Sequence, residues 1–150
     1  MLLAKKKFGV VWSLKMRELT KTIITDYGMR EFDWLGYKVS RSNPFTFHHI
    51  QKKEHGGLYT YNNGAILTGG VGSSHEYLHI IEVKDYDLYI YLNNLLKVIN
   101  DQRSMPTLNQ LKAIRSILLQ FEREHLSDRT KKGKLLIKPS YIEKRIELKL

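Results

Sequence analysis

Apolar residues follow a helical spacing over Ser13 to about Asp26, where Leu14, Met16, Leu19, Ile23 and Ile24 form a stripe. Ser13 is a candidate cap and Gly28 a candidate stop. The aromatic stretch 32–40 reads as a turn followed by a short strand, and Asn43-Pro44 then breaks the chain. From Phe45 to Ile50 the period becomes two, which predicts a strand. A polar loop over 51–57 ends in Gly56-Gly57. Tyr59, Tyr61 and then Ala65 to Thr68 predict the return strand. Gly69-Gly70-Val71-Gly72 reads as a flexible loop.

The period then lengthens again. Ser73 with Glu76 matches the S/T-x-x-E capping box, so a helix is expected from Ser73 or Ser74. A second helix is expected from Asp87 to about Asn100, with Leu88, Tyr91, Leu92, Leu95, Leu96 and Ile99 on its stripe. A third is expected from Thr107 to His125, with Leu108, Leu111, Ile114, Ile117, Leu118 and Phe121 periodic. In the tail, Lys134 to Lys138 reads as a short strand and Tyr141 to Leu150 as a terminal helix. These elements predict an α+β fold: one domain over 1–150, with a helical basic part at 1–40, a central core at 41–82, and helices with a basic tail at 83–150.

Composition narrows the class. A chain of 150 residues can bury roughly two-thirds of its unfolded surface, enough for a core without staples. The chain has no cysteine, which excludes disulfide scaffolds, thiolate zinc sites, iron–sulfur clusters and cysteine nucleophiles. No apolar run approaches the roughly 20 residues of a membrane span, and the first residues do not read as a signal peptide. The expected compartment is the cytoplasm.

The formal net charge is +10, and it is unevenly placed. Residues 1–17 carry five basic residues and no acid, and 129–150 carry eight basic and two acidic, leaving the body between them near neutral. Basic ends favour polyanions, nucleic acid above all, through counterion release. Lys52, Lys53, Lys131, Lys132 and Lys134 are the candidate phosphate contacts, although Lys131 to Lys134 also fits a solvated tail.

Five of the six histidines fall between positions 48 and 79. His75 and His79 are i and i+4 on a predicted helix, about 6 Å apart at Cβ, as two ligands of one ion must be. His48 and His49 are neighbours on a predicted strand and should point to opposite faces. Either one ligates while the other faces a substrate, or a bend brings both to one cleft.

With these residues in view, the chain resembles the HNH nucleases, also called the ββα-metal or His-Me finger family. That family's pattern runs from a histidine pair through Gly-Gly and an Asn to a helix bearing a final His. The corresponding residues are His48-His49-Ile50-Gln51-Lys52, then Lys53-Glu54-His55, Gly56-Gly57, five residues, Asn63, Ile66-Leu67-Thr68 and His75. The likeness covers 45–82. The paired front histidines and helical His-x-x-x-His look most like the colicin-type members. Lys52 stands where the family usually has Pro, Gly64 where Leu often follows the Asn, and the structural-zinc cysteines are absent.

The resemblance implies a ββα-metal element set among flanking helices and a metal-dependent endonuclease that hydrolyses phosphodiester bonds, with DNA favoured over RNA. His49 would be the general base that activates water. His48, His75 and His79 would hold one divalent cation (Mg, Mn, Zn or Ni), which stabilises the leaving 3′ oxygen. Asn63 would tie the ββ loop together and orient His49. The implied setting is phage or mobile-element, with a second copy of the chain or a larger complex as further partners. The competing readings are a non-cleaving nucleic-acid-binding protein of HNH-like shape and a purely structural metal site. Residue by residue, His79 could instead pack on the hairpin, and Asn62 or a plain Asn63-Gly64 turn competes with Asn63. His55 is expected as a solvated loop residue, and His125 as a helix-end cation.

Overall fold

In the computed structural model, backbone is described for residues 2–148 and side chains from residue 14. The first helix, α1 (Leu2–Tyr27), is followed by β1 (Phe45–His49), β2 (Gly64–Thr68), α2 (Ser74–Lys84), α3 (Tyr86–Gln102), α4 (Leu108–His125) and the short α5 (Pro139–Glu143). The fold is α+β. β1 and β2 pair antiparallel, with His48 opposite Ala65 and His49 opposite Gly64. α2 follows directly, packing against both β2 and α3. The order strand, strand, helix over 45–84 is therefore contiguous in sequence and in space.

α1 continues through Ser13, so that residue does not start the helix. No proline lies between Leu2 and Ser13, and Gly28, at φ 63°, ends the helix as expected. The 32–40 stretch holds no strand. Single bridges join Phe32 to Lys38 and Tyr37 to Arg145. Tyr59 and Tyr61 lie before β2 rather than in it, because a 3-10 turn over Tyr61–Asn63 precedes Gly64. The tail also differs from its pattern. Over 134–138 there is one bridge, Arg129 to Leu135, closing a turn. The last helix starts at Pro139 and stops at Glu143, since Arg145 leaves it to pair with buried Glu122. Residues 149 and 150 of the expected terminal helix lie outside the described residues.

The apolar stripes explain the packing. Ile114, Ile117, Leu118 and Phe121 of α4 are buried, as are Leu92, Leu96 and Ile99 of α3. On α3 the buried tyrosine is Tyr89, while Tyr86 and Tyr91 are half exposed. β2 is buried at every position, and Trp34 stacks on Tyr27 beneath it.

One buried carboxylate fixes how the hairpin meets α2. Asp33 Oδ1 accepts the backbone N–H groups of Leu35 and Tyr37. Its Oδ2 accepts the Thr68 N–H, the Thr68 hydroxyl and the Ser74 hydroxyl. The end of β2 and the first residue of α2 are thus held to one group. The glycine-rich 69–72 loop between them is also tied: buried Asn43 donates from Nδ2 to the carbonyls of Gly69 and Val71. At the start of α2, the Ser73 side chain accepts the Glu76 N–H, but the Glu76 carboxylate turns to Lys138 and Tyr141, leaving the expected box half made. The full capping box belongs to Thr107 and Gln110 on α4. Among the described residues, no helix is long and apolar enough to cross a membrane.

Candidate metal centre and cleft

The hairpin and α2 bring three imidazoles together. His48, His75 and His79 each offer a nitrogen within 4.8 Å of the others. Their ring centroids are 5.2 Å (His48 to His75), 4.9 Å (His75 to His79) and 6.1 Å (His48 to His79) apart. His48 is buried in the hairpin, His75 is half-buried and His79 faces solvent.

The outer hydrogen bonds decide where each ring carries its proton. Asn93 on α3 donates from Nδ2 to the Ile50 carbonyl, so its Oδ1 is free to accept from His48 Nε2–H at 2.9 Å. Thr46 spends its hydroxyl proton on the Leu67 carbonyl, so its oxygen accepts from His75 Nδ1–H at 3.1 Å. The Glu82 carboxylate accepts from His79 Nδ1–H at 3.2 Å. With one nitrogen of each ring so engaged, the other is the one that offers a lone pair to a metal: Nδ1 of His48, Nε2 of His75 and Nε2 of His79. Carbonyl, hydroxyl and carboxylate oxygens behind ligating histidines orient the rings and raise their basicity.

Burial keeps two of these rings neutral. Desolvation, with smaller contributions from the neighbouring histidines, lowers His48 to about 3 even though the Asn93 bond opposes it. Desolvation, followed by the charges of His79 and His49, lowers His75 to about 4. Neutral imidazole is the form that ligates a metal. Three such nitrogens, with no carboxylate among them, suit borderline ions such as zinc or nickel better than magnesium, which prefers oxygen. The cluster can hold a metal ion.

His49 lines the same cleft, an opening of about 230 Å³ that His48, His75, His79, Lys52, Lys53 and Tyr89 also border. Although strand alternation separates the two neighbours, His49 is the last residue of β1, and both reach one cavity. Its ring stands edge-on to Tyr59 at 4.2 Å and to Phe47 at 5.1 Å. Burial first, and then the charge of Lys53, lowers its pKa, so it is neutral near pH 7. Among the described residues, its buried Nε2 has no hydrogen-bond partner.

Asn63 sits at the foot of the loop. Its Oδ1 accepts the Gln51 N–H at 2.7 Å, and its Nδ2 donates to the carbonyls of Gln51 and Leu58. It ties the 50–63 loop together and makes no hydrogen bond to the His49 ring. The same loop closes at Gly57, where any Cβ would lie 1.8 Å from the Gln51 carbonyl oxygen, so only glycine fits.

The lysines separate into two groups. Lys52 is paired with Glu82, and that hydrogen bond raises its pKa. Through Glu82 it joins His79, so Lys52 supports the cluster as well as bordering the cleft. Lys53 is exposed at the cleft edge, over the Tyr59 ring. Lys131, Lys132 and Lys134 are exposed on the turn closed by Arg129 and Leu135, and none of them borders the cleft. His55 is exposed. His125 ends α4, bonded to Asp128 at 2.7 Å and packed on Phe121.

Sequence reasoning missed Thr46, Glu82 and Asn93. Two of these had local signals, since Glu82 lies i+3 from His79 and Thr46 lies two residues before His48 on the same strand face. Asn93 had none, being 45 residues away on another element. No family model matches the chain, and no curated protein or solved structure matches it.

Proposed function

We propose that the chain is a metal-dependent endonuclease of the HNH, or ββα-metal, type, acting on DNA. The observation that carries this reading is the division of labour among four imidazoles. Three are locked by outer oxygens with their lone pairs available, and the fourth, His49, is neutral in the same cleft and not bound to them. A structural metal site alone has no use for His49.

His48, His75 and His79 would hold the cation, which supplies charge stabilisation to the phosphate and the departing 3′ oxygen. His49 accepts a proton from the attacking water as the new P–O bond forms. The P–O3′ bond breaks, and the leaving oxygen takes its proton from solvent. Asn63 holds the loop that follows His49. Lys53, exposed at the cleft edge, gives a phosphate a cationic neighbour. The basic ends of the chain add attraction without sequence preference.

The test is conversion of supercoiled plasmid by wild type and His49→Ala, with Mg2+, Mn2+, Ni2+, Zn2+ or a chelator. Wild type should nick or linearise the plasmid with at least one metal, and the chelator should stop it. His49→Ala should lose about 100-fold or more in rate, the usual worth of a general base. A wild type that shifts plasmid on a gel but cuts it with no metal would sink the nuclease reading in favour of a binding module.

A second reading has one observation behind it: His48 is 3% exposed and bonded into the core, as a metal that staples β1 to α2 would require. On that reading, metal removal unfolds the chain and His49→Ala changes nothing.

A further inference from the structure

Beside the cleft, across the 50–57 loop, lies a larger open pocket of about 540 Å³ between that loop and α3. The two cavities share Lys52 and Tyr89. The pocket wall has two kinds of surface. Tyr86, Leu58 and Ile90 are exposed flat or apolar side chains, at 52%, 66% and 39%. Asn94 follows Tyr86 and Ile90 at four-residue spacing along the same face of α3, with an exposed amide that makes no hydrogen bond among the described residues. Lys97 and Lys52 also line it, each already paired: Lys97 with Asp101 and the Asn62 carbonyl, Lys52 with Glu82.

A planar aromatic surface beside an uncommitted amide forms the recognition set for a nucleobase: stacking on one face and hydrogen bonds to an edge. We infer that this pocket takes an unstacked nucleobase adjoining the scissile phosphate, so that the chain acts on single-stranded or locally unpaired DNA. The inference rests on the nuclease reading of the cleft. Within a duplex the base faces are covered by their neighbours, and only edges are offered in the grooves. A wall built for a face therefore selects strands whose bases are free to leave the stack.

The experiment uses full-length chain carrying His49→Ala, with chelator present, and a fluorescently labelled DNA oligonucleotide offered single-stranded or as its duplex. Binding is read by anisotropy. Tyr86→Ala and Asn94→Ala are added singly. Both residues are exposed, and an unchanged thermal midpoint confirms folding. Each should weaken single-strand binding about fivefold or more while leaving duplex binding within about twofold. Unchanged single-strand binding in both variants overturns the pocket, and so does an equal loss on duplex and single strand. In either case plasmid cleavage by the wild type leaves the nuclease reading standing. If the parent binds neither form and the wild type cuts no plasmid, the nuclease reading fails and takes the pocket with it.

Discussion

Two polar clusters tie α2 to the hairpin, one around buried Asp33 and one around His48 and His75, and they are finished to different degrees. Around Asp33, both carboxylate oxygens are filled by donors from the chain itself: three backbone N–H groups and two hydroxyls. Around His48 and His75, one ring nitrogen is filled and the other keeps its lone pair. Each cluster engages one of the first two residues of the same helix, Ser74 in the first and His75 in the second. A group whose capacity is exhausted internally can only hold the fold, whereas a group left half engaged in a cleft can also bind. Burial alone does not tell the two apart; counting used and unused lone pairs does.

The sharpest way to break the comparison is to remove the closed group. Asp33→Ala leaves the donors of Leu35, Tyr37, Thr68 and Ser74 unpaired in the core. It should cost about 3 kcal/mol or more in unfolding free energy, read from the urea midpoint. A loss below about 1 kcal/mol would mean that the carboxylate does not hold β2 to α2.

The open cluster should show itself through pH. Unfolded imidazoles take up protons near pH 6.5, while His48 and His75 stay neutral down to about 3 and about 4. Acid therefore favours the unfolded chain. The loss of stability begins near pH 6.5 and runs down through the folded values, and His49 shifts in the same direction. With chelator present, stability should fall by roughly 3 kcal/mol between pH 7.5 and 5.5, about half of it from each buried ring. His75→Ala should flatten that slope by about half, and an unaltered slope would contradict the buried neutral rings.

The smallest effect sharpens the account of the outer oxygens. Asn93→Ala frees the His48 ring to turn and to exchange tautomers. Zinc or nickel affinity, measured by competition with a chromophoric chelator, should fall about 10- to 100-fold. Asn93→Asp, which restores an acceptor, should recover most of it. Equal losses in both variants would show that packing, not the hydrogen bond, is what Asn93 provides.

The parts of this molecule legible in its sequence are those with short-range logic. The switch from period three to period two and back located β1, β2 and α2, and the histidine spacing located the cluster. The misreadings arose where distant groups decide local form. Arg145 ends α5 because its partner is Glu122, on α4. Residues 32–40 stay out of a strand because Asp33 gathers the local N–H groups of Leu35 and Tyr37. Asn93 was invisible for the same reason: its role depends on α3 passing over the end of β1, and no neighbouring residue announces it.

Gly57 carries a consequence of its own. The loop backbone comes within touching distance of itself there, and the 51–57 segment is closed by backbone bonds to the Lys52 and Lys53 carbonyls and by the Asn63 amide. That segment is the partition between the cleft and the neighbouring pocket. On the proposed reading the partition would act as a ruler, setting the number of nucleotides between the bond cut in the cleft and the base held in the pocket. Lengthening the loop by one residue should then move the cut along the strand rather than abolish it.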